Sequence, residues 1–251
     1  MNIKRRLFGF RIEEFWFDPE AYNNSSAHLA LLRTNLQTSE CDCVIHEKTI
    51  HISLEKDIST IFNALSPRAK NSINNISKTG VIMRASSQKD RDIFYKEYFS
   101  FARRKNLLRP HQQEETDLDI FLVRSVQGKL LHGAAFIPFP QAGIYRYRYI
   151  VTMQKSQANA ACLWHALLHA KNNGFSIFDL GGIPYNSDES STLHGICFFK
   201  SQFGGVAVDT YLYIRGKNPI IKLLLKMCGK LLADEKMYAF VMSFITRMAK
   251  K

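Results

Sequence analysis

The sequence predicts a layered α/β or α+β domain followed by a basic helical tail. Its hydrophobic periodicity changes along the chain, from two helical segments to hairpin-linked strands and then to helix, strand, short helix and strand. At 251 residues the chain is long enough to bury the core of one domain with an appendage. A composition of 46% hydrophobic and 22% charged residues is that of a globular protein and excludes a disordered one.

Residues 1–48 carry the weakest signals. Aromatic residues crowd positions 8–17, and Asn23-Asn24-Ser25-Ser26 reads as a loop. From Thr49 the pattern sharpens, with a strand over 51–54 and one or two helical turns over 57–65. Ser66-Pro67 has the form of a helix start, a serine N-cap followed by proline in the first position. Ala69, Ile73 and Ile76 share one face of that helix, and Gly80 ends it. A short strand over 81–85 precedes a long amphipathic helix over 90–108, with Phe94, Tyr98 and Phe101 on one side.

The period then changes to two. Residues 120–126 and 130–139 flank Gln127-Gly128-Lys129 as a hairpin, and 144–151 form a third strand. Residues 158–173 are helical and closed by Gly174, followed by strands over 175–180 and 206–214. The domain boundaries expected are thus 1–48, 49–214 and 215–251. In the last segment Pro219 starts a helix on which Lys222, Lys226 and Lys230 recur every four residues beside a leucine/isoleucine face, and a second helix covers 235–249. Such a basic hairpin suits an anionic membrane surface or, equally on pattern alone, packing on the domain with a solvated lysine stripe.

A formal net charge of +12 and a sequence pI near 9.5 favour a polyanionic partner: RNA, anionic lipid or a phosphate-bearing substrate. Five scattered cysteines suit a reducing compartment rather than a disulfide framework. The first residues lack the apolar core of a signal peptide, and no apolar run is long enough to span a bilayer. These features predict a cytoplasmic protein, with residues 218–251 as the candidate contact to the inner face of the plasma membrane.

The richest stretch runs over 174–205. An apolar run ends in Gly181-Gly182, a polar loop follows, and a short helix carrying Lys200 among apolar neighbours closes on Phe203-Gly204-Gly205. A strand end, a glycine turn and a semi-buried cation are parts of a ligand cleft in open α/β folds. Lys200 sits between Phe199 and Phe203, where a low dielectric strengthens its field; its other reading is a helix lysine that snorkels to water. Asp179 at the strand end is a candidate base, or a carboxylate that bonds the turn's N–H groups. In Tyr145-Arg146-Tyr147-Arg148-Tyr149 the strand period puts three tyrosines on one face and both arginines on the other. Buried guanidinium groups need anions, supplied either by a phosphate-bearing substrate or by internal acids. Arg68 at the Ser66-Pro67 helix start is a further phosphate contact, and His194 lies near Lys200 in sequence. Cys41, Cys43 and His46 lack a fourth metal ligand, His165 and His169 read as packing residues, and there is no Walker loop or serine nucleophile elbow.

In the order of these features, from residue 49 through the hairpin, the Tyr-Arg strand, Phe178-Asp179-Leu180-Gly181-Gly182-Ile183 and Phe199-Lys200-Ser201-Gln202-Phe203-Gly204-Gly205, the chain resembles the FemABX-type peptidyltransferases, a branch of the GNAT acyltransferase superfamily. The resemblance covers roughly two thirds of the sequence. It implies a mixed, largely antiparallel central sheet flanked by helices, and transfer of an acyl group to an amine. The resemblance implies that Lys200 is catalytic, close to the end of an acyl-tRNA donor; the residues themselves add Asp179 as a catalytic candidate and Arg146, Arg148, Tyr145, Phe199 and Arg68 as candidates to bind substrate. Full-length members carry two such subdomains and some a coiled-coil arm; residues 1–48 are too short for the first subdomain, and the arm is missing.

No bound cofactor or metal is implied. The donor is either aminoacyl-tRNA, bound by its 3′ end, or a coenzyme A thioester. Coenzyme A-dependent members usually place a glycine-containing loop where this chain has residues 153–160; Gln154 is present, the glycines are not. This and the positive charge lean toward an aminoacyl-tRNA donor and an amine of a cell-envelope or secondary-metabolite precursor. The alternatives are an acetyl-CoA or acyl-CoA-dependent N-acyltransferase acting on an amino sugar or polysaccharide precursor, and a non-catalytic GNAT-like membrane-docking module.

Overall fold

The structure, a computed structural model, describes residues 2–7, 10–37, 41–105, 118–153, 158–183 and 192–232. The first elements are β1 (Asn2–Leu7), β2 (Phe10–Trp16), α1 (Pro19–Asn23), β3 (Leu29–Thr34) and β4 (Cys43–Ser53). Next come α2 (Ile58–Ala64), α3 (Pro67–Thr79), β5 (Gly80–Arg84) and α4 (Gln88–Lys105). Then follow β6 (Asp119–Ser125), β7 (Leu130–Phe139), β8 (Ile144–Thr152), α5 (Ala158–Asn172), β9 (Ile177–Ile183), α6 (Thr192–Ser201), β10 (Val206–Gly216) and α7 (Pro219–Leu232). The chain divides into two compact units, Thr49–Ala207 and Met1–Lys48 with Val208–Lys251.

In the unit Thr49–Ala207 the strands are ordered β4-β9-β8-β7-β6-β5. The pairs β5–β6, β6–β7 and β7–β8 are antiparallel and β8–β9 is parallel, which is the mixed, largely antiparallel sheet that the resemblance implies. One face is apolar and carries the core. Ile50 and Ile52 of β4, Phe121 and Val123 of β6, Ala134 and Phe136 of β7 and Phe178 and Leu180 of β9 pack there with Ala161, Leu163 and Ala166 of α5. Helices α2 and α3 join the same cluster through Ile61, Leu65, Ala69 and Ile76. Helix α4 serves the other face: Phe94 stands against Gly133, and the Tyr98 ring lies 4.9 Å from that of Tyr149. The Ser66-Pro67 signal is realised, the Ser66 hydroxyl accepting from the Ala69 amide at 3.2 Å.

Two local readings of the sequence are corrected. The β7–β8 register shifts between Ala135, opposite Tyr149, and Phe136, opposite Tyr147, so Arg148 is the extra residue of a bulge. The alternation flips there. Tyr145 and Tyr147 face Phe136 on the apolar side and Tyr149 faces α4, so the three tyrosines do not share a face. Nor does the strand before the glycine pair stop there. Strand β9 runs on to Ile183 through a kink at Gly181, whose φ of +76° a glycine adopts freely.

The second unit contains strands where the sequence signal was weakest. Strand β1 pairs antiparallel with β2, β2 runs parallel to β3, and residues 29–34 pair antiparallel with 211–216. Phe15, Tyr22, Ala30, Leu32 and Tyr213 form one buried cluster, and Cys43, Leu212 and Ile214 another, against which Leu225 of α7 packs. Helix α7 is capped by Asn218, whose side chain accepts from the Ile221 amide at 2.8 Å. Its Ile220 and Leu223 are 70% and 60% exposed, next to exposed Lys222 and Lys226. The second tail helix expected over 235–249 lies outside the described residues. Among the described residues no helix is long and apolar enough to cross a membrane.

Candidate active site

On the sheet face opposite the α5 core, alternation leaves room for polar side chains: Thr49 and His51 on β4, Arg146 on β8 and Asp179 on β9. Asp179 is their centre. It is fully buried and accepts from the Thr49 hydroxyl, from the Arg146 guanidinium at 2.5 Å and from the Gly181 amide at 2.7 Å. The His51 Nε2 lies 3.7 Å from Oδ2, the oxygen that also accepts from Arg146. Burial works against the charge of this carboxylate, but Arg146, then His51 and Thr49, outweigh it and hold the group below the usual carboxylate range.

Lys200 completes the cluster from α6. It is 6% exposed and donates to the Gly182 carbonyl at 2.6 Å. Burial lowers its ammonium to about 8, with Arg146 acting the same way and Asp179 and Cys197 opposing. The helix that carries it is held in place by its closing motif. Phe203 is fully buried in the core. Gly204, at φ +68°, leaves only 2.6 Å between the position of a Cβ and the Ala64 carbonyl, and Gly205 rests on Ile50 and His51 of β4. At Gly181 a side chain would stand 3.2 Å from the Tyr147 carbonyl and 3.7 Å from the Lys200 Nζ, so glycine keeps open the space between β8 and the lysine.

The parallel ladder between β8 and β9 covers only Ile144–Arg146 against Ile177–Asp179. Among the described residues the two strands, which continue to Thr152 and Ile183, pair no further. The cluster therefore stands where two parallel strands part at their carboxyl ends, each followed by a helix, the place where open α/β sheets bind ligands. Two cations and an imidazole surround one carboxylate, and this excess of positive charge in a region of low dielectric suits an oxyanion or a phosphate.

The structure brings together Lys200, Asp179 and Arg146 of the residues singled out in the sequence. It separates the others. Arg148 lies over the Tyr149 ring, 5.1 Å from its centre. Tyr145 is buried on the apolar face, donates to Asp119 at 3.0 Å, and has its phenol pushed up chiefly by burial. Phe199 packs on Phe203 with ring centroids 5.5 Å apart, and Arg68 is exposed on α3. Residues 154–157, with Gln154, and the side chain of His194 lie outside those described. Thr49 and His51 were missed; their alternation with buried Ile50 and Ile52 is the signal that marks them.

No family model matches the sequence, and neither does any curated protein sequence. Solved structures do. The chain is similar to a crystal structure of FemX, at 11% identity and a TM-score of 0.66, over 90% of this chain and 86% of that one. It is similar to the C-terminal domain of a putative lysylphosphatidylglycerol synthetase from Agrobacterium fabrum, at 15% identity and a TM-score of 0.56, over 92% and 85%. A third is L-PGS from Bacillus licheniformis, at 12% identity and a TM-score of 0.56, over 92% and 85%. The fold is thus GNAT-like, as the resemblance implied.

Proposed function

We propose that the chain is an acyltransferase that moves an aminoacyl group from aminoacyl-tRNA to an amine of a cell-envelope or secondary-metabolite precursor. The observation that carries this reading is the buried Lys200 ammonium held beside Arg146 and Asp179 where β8 and β9 part. Attack of an amine on an ester puts negative charge on the carbonyl oxygen, and a fixed cation there lowers the barrier by about 3 kcal/mol. Asp179 acts as the anchor of the two cations, because its oxygens are already occupied by Thr49, Arg146 and Gly181. The likeness of the fold to FemX and to a lysylphosphatidylglycerol synthetase, whose product's name joins an aminoacyl group to a phospholipid, supports an aminoacyl donor. The net charge of +12 supports a polyanionic one. Helix α7, with exposed Ile220 and Leu223 beside Lys222 and Lys226, is proposed to rest on anionic lipid.

The test offers the purified protein radiolabelled aminoacyl-tRNA and acetyl-CoA separately, each with a panel of amino-sugar and peptide amines. The tRNA reading expects transfer that RNase abolishes and that weakens steeply with salt as counterions are released. Transfer from acetyl-CoA alone, unaffected by RNase, contradicts it in favour of an N-acyltransferase. Transfer from neither donor favours a docking module.

A further inference from the structure

Acyl transfer to an amine needs a group to take the proton that the nitrogen sheds, and the groups so far described are unsuited to it. The Asp179 carboxylate is enclosed by donors and held ionised, and the Lys200 ammonium is itself a donor, to Gly182. His51 differs from both. Strand alternation puts it on the same face of β4 as Thr49, two residues away. Thr49 bonds Oδ1 of Asp179, and the His51 Nε2 stands 3.7 Å from Oδ2. The Asp179 side chain is 0% exposed, whereas that of His51 keeps 11%, so the imidazole is the member of the pair that a substrate can reach.

We infer that His51 is a catalytic residue that accepts the proton of the attacking amine, oriented by Asp179. The inference rests on the acyl-transfer reading above. With its proton on Nε2, assigned from the facing carboxylate, the ring has its lone pair on Nδ1. The amine nitrogen attacks the acyl carbon with its lone pair, and the proton it loses passes to Nδ1. The bond from the acyl carbon to the donor oxygen breaks, its electron pair leaving on that oxygen, which takes the proton from the imidazolium. No other reactant is consumed. The charged group that faces the ring is Asp179 from β9, whose Oδ2 also accepts from Arg146 of β8. The imidazolium formed in the step faces one carboxylate, as in a base–orienter pair.

The experiment compares wild type, His51→Gln and His51→Ala on the donor and amine that the wild type uses, with melting curves for each. The inference expects His51→Gln to fold and to lose kcat by about a hundredfold. It also expects the pH dependence of kcat to change in that variant, and free imidazole to restore part of the rate to His51→Ala. A folded His51→Gln with the wild-type rate and pH profile overturns the inference and leaves the acyl-transfer reading standing. A rate lost in both variants with no change of pH profile and no rescue overturns it too, by assigning His51 a packing role. A wild type that transfers from neither aminoacyl-tRNA nor acetyl-CoA overturns both together.

Discussion

Arg146 and Asp179 face each other on the last rung of the β8–β9 ladder, the guanidinium 2.5 Å from the carboxylate, and beyond them the two strands part. The pair joins the rigid part of the sheet to the candidate cleft. It also explains how a second buried cation, Lys200, is tolerated a short distance away: the carboxylate offsets part of the mutual repulsion.

Replacing Asp179 by Asn therefore leaves Arg146 and Lys200 buried without an anion. A loss of about 3–5 kcal/mol of stability is expected, measured by urea denaturation at neutral pH. The sign with pH follows from a lowered folded pKa. The carboxylate's stabilisation is present above the unfolded value, near 4, and is lost as pH falls through the folded one, so the gap between wild type and variant closes in acid.

Lys200 gives the opposite limb. With a folded pKa of about 8 its charge, and the transition-state stabilisation that depends on it, is present below that value, so kcat is expected to fall as pH rises through about 8. A rate that instead rises through this range identifies Lys200 as a base and removes it from oxyanion stabilisation.

Helix α7 is expected to bring the protein down with vesicles containing phosphatidylglycerol at low salt and to release it at high salt. Charge reversal at Lys222 and Lys226 together should abolish the binding, and Leu223→Ser should weaken it, without unfolding, because these side chains are exposed. Equal binding to neutral vesicles, or indifference to both changes, contradicts the assignment.

The sequence made the unit from Thr49 legible because its signals are local. Ser66-Pro67, the hairpin around Gly128 and the Gly174 that closes α5 depend on neighbours in the chain, and each element formed within a few residues of its expected place. Residues 1–48 were opaque because β3 takes its partner from residues 211–216, so no local pattern specifies the pairing. In the candidate site Lys200 and Asp179 were visible through the glycine and phenylalanine residues around them. His51 and Thr49 were not, since their role comes from β4 lying beside β9. The bulge at Arg148 defeated the alternation rule for the same reason: an extra residue in one strand is seen only against its partner.

Catalysis of acyl transfer by the Lys200 cluster is read from single-turnover transfer of a radiolabelled aminoacyl group from tRNA to an amine by wild type and Lys200→Met. The wild type is expected to transfer the group, and Lys200→Met, melting as a folded protein, to lose about a hundredfold in rate. Transfer by Lys200→Met at the wild-type rate would contradict that catalytic role.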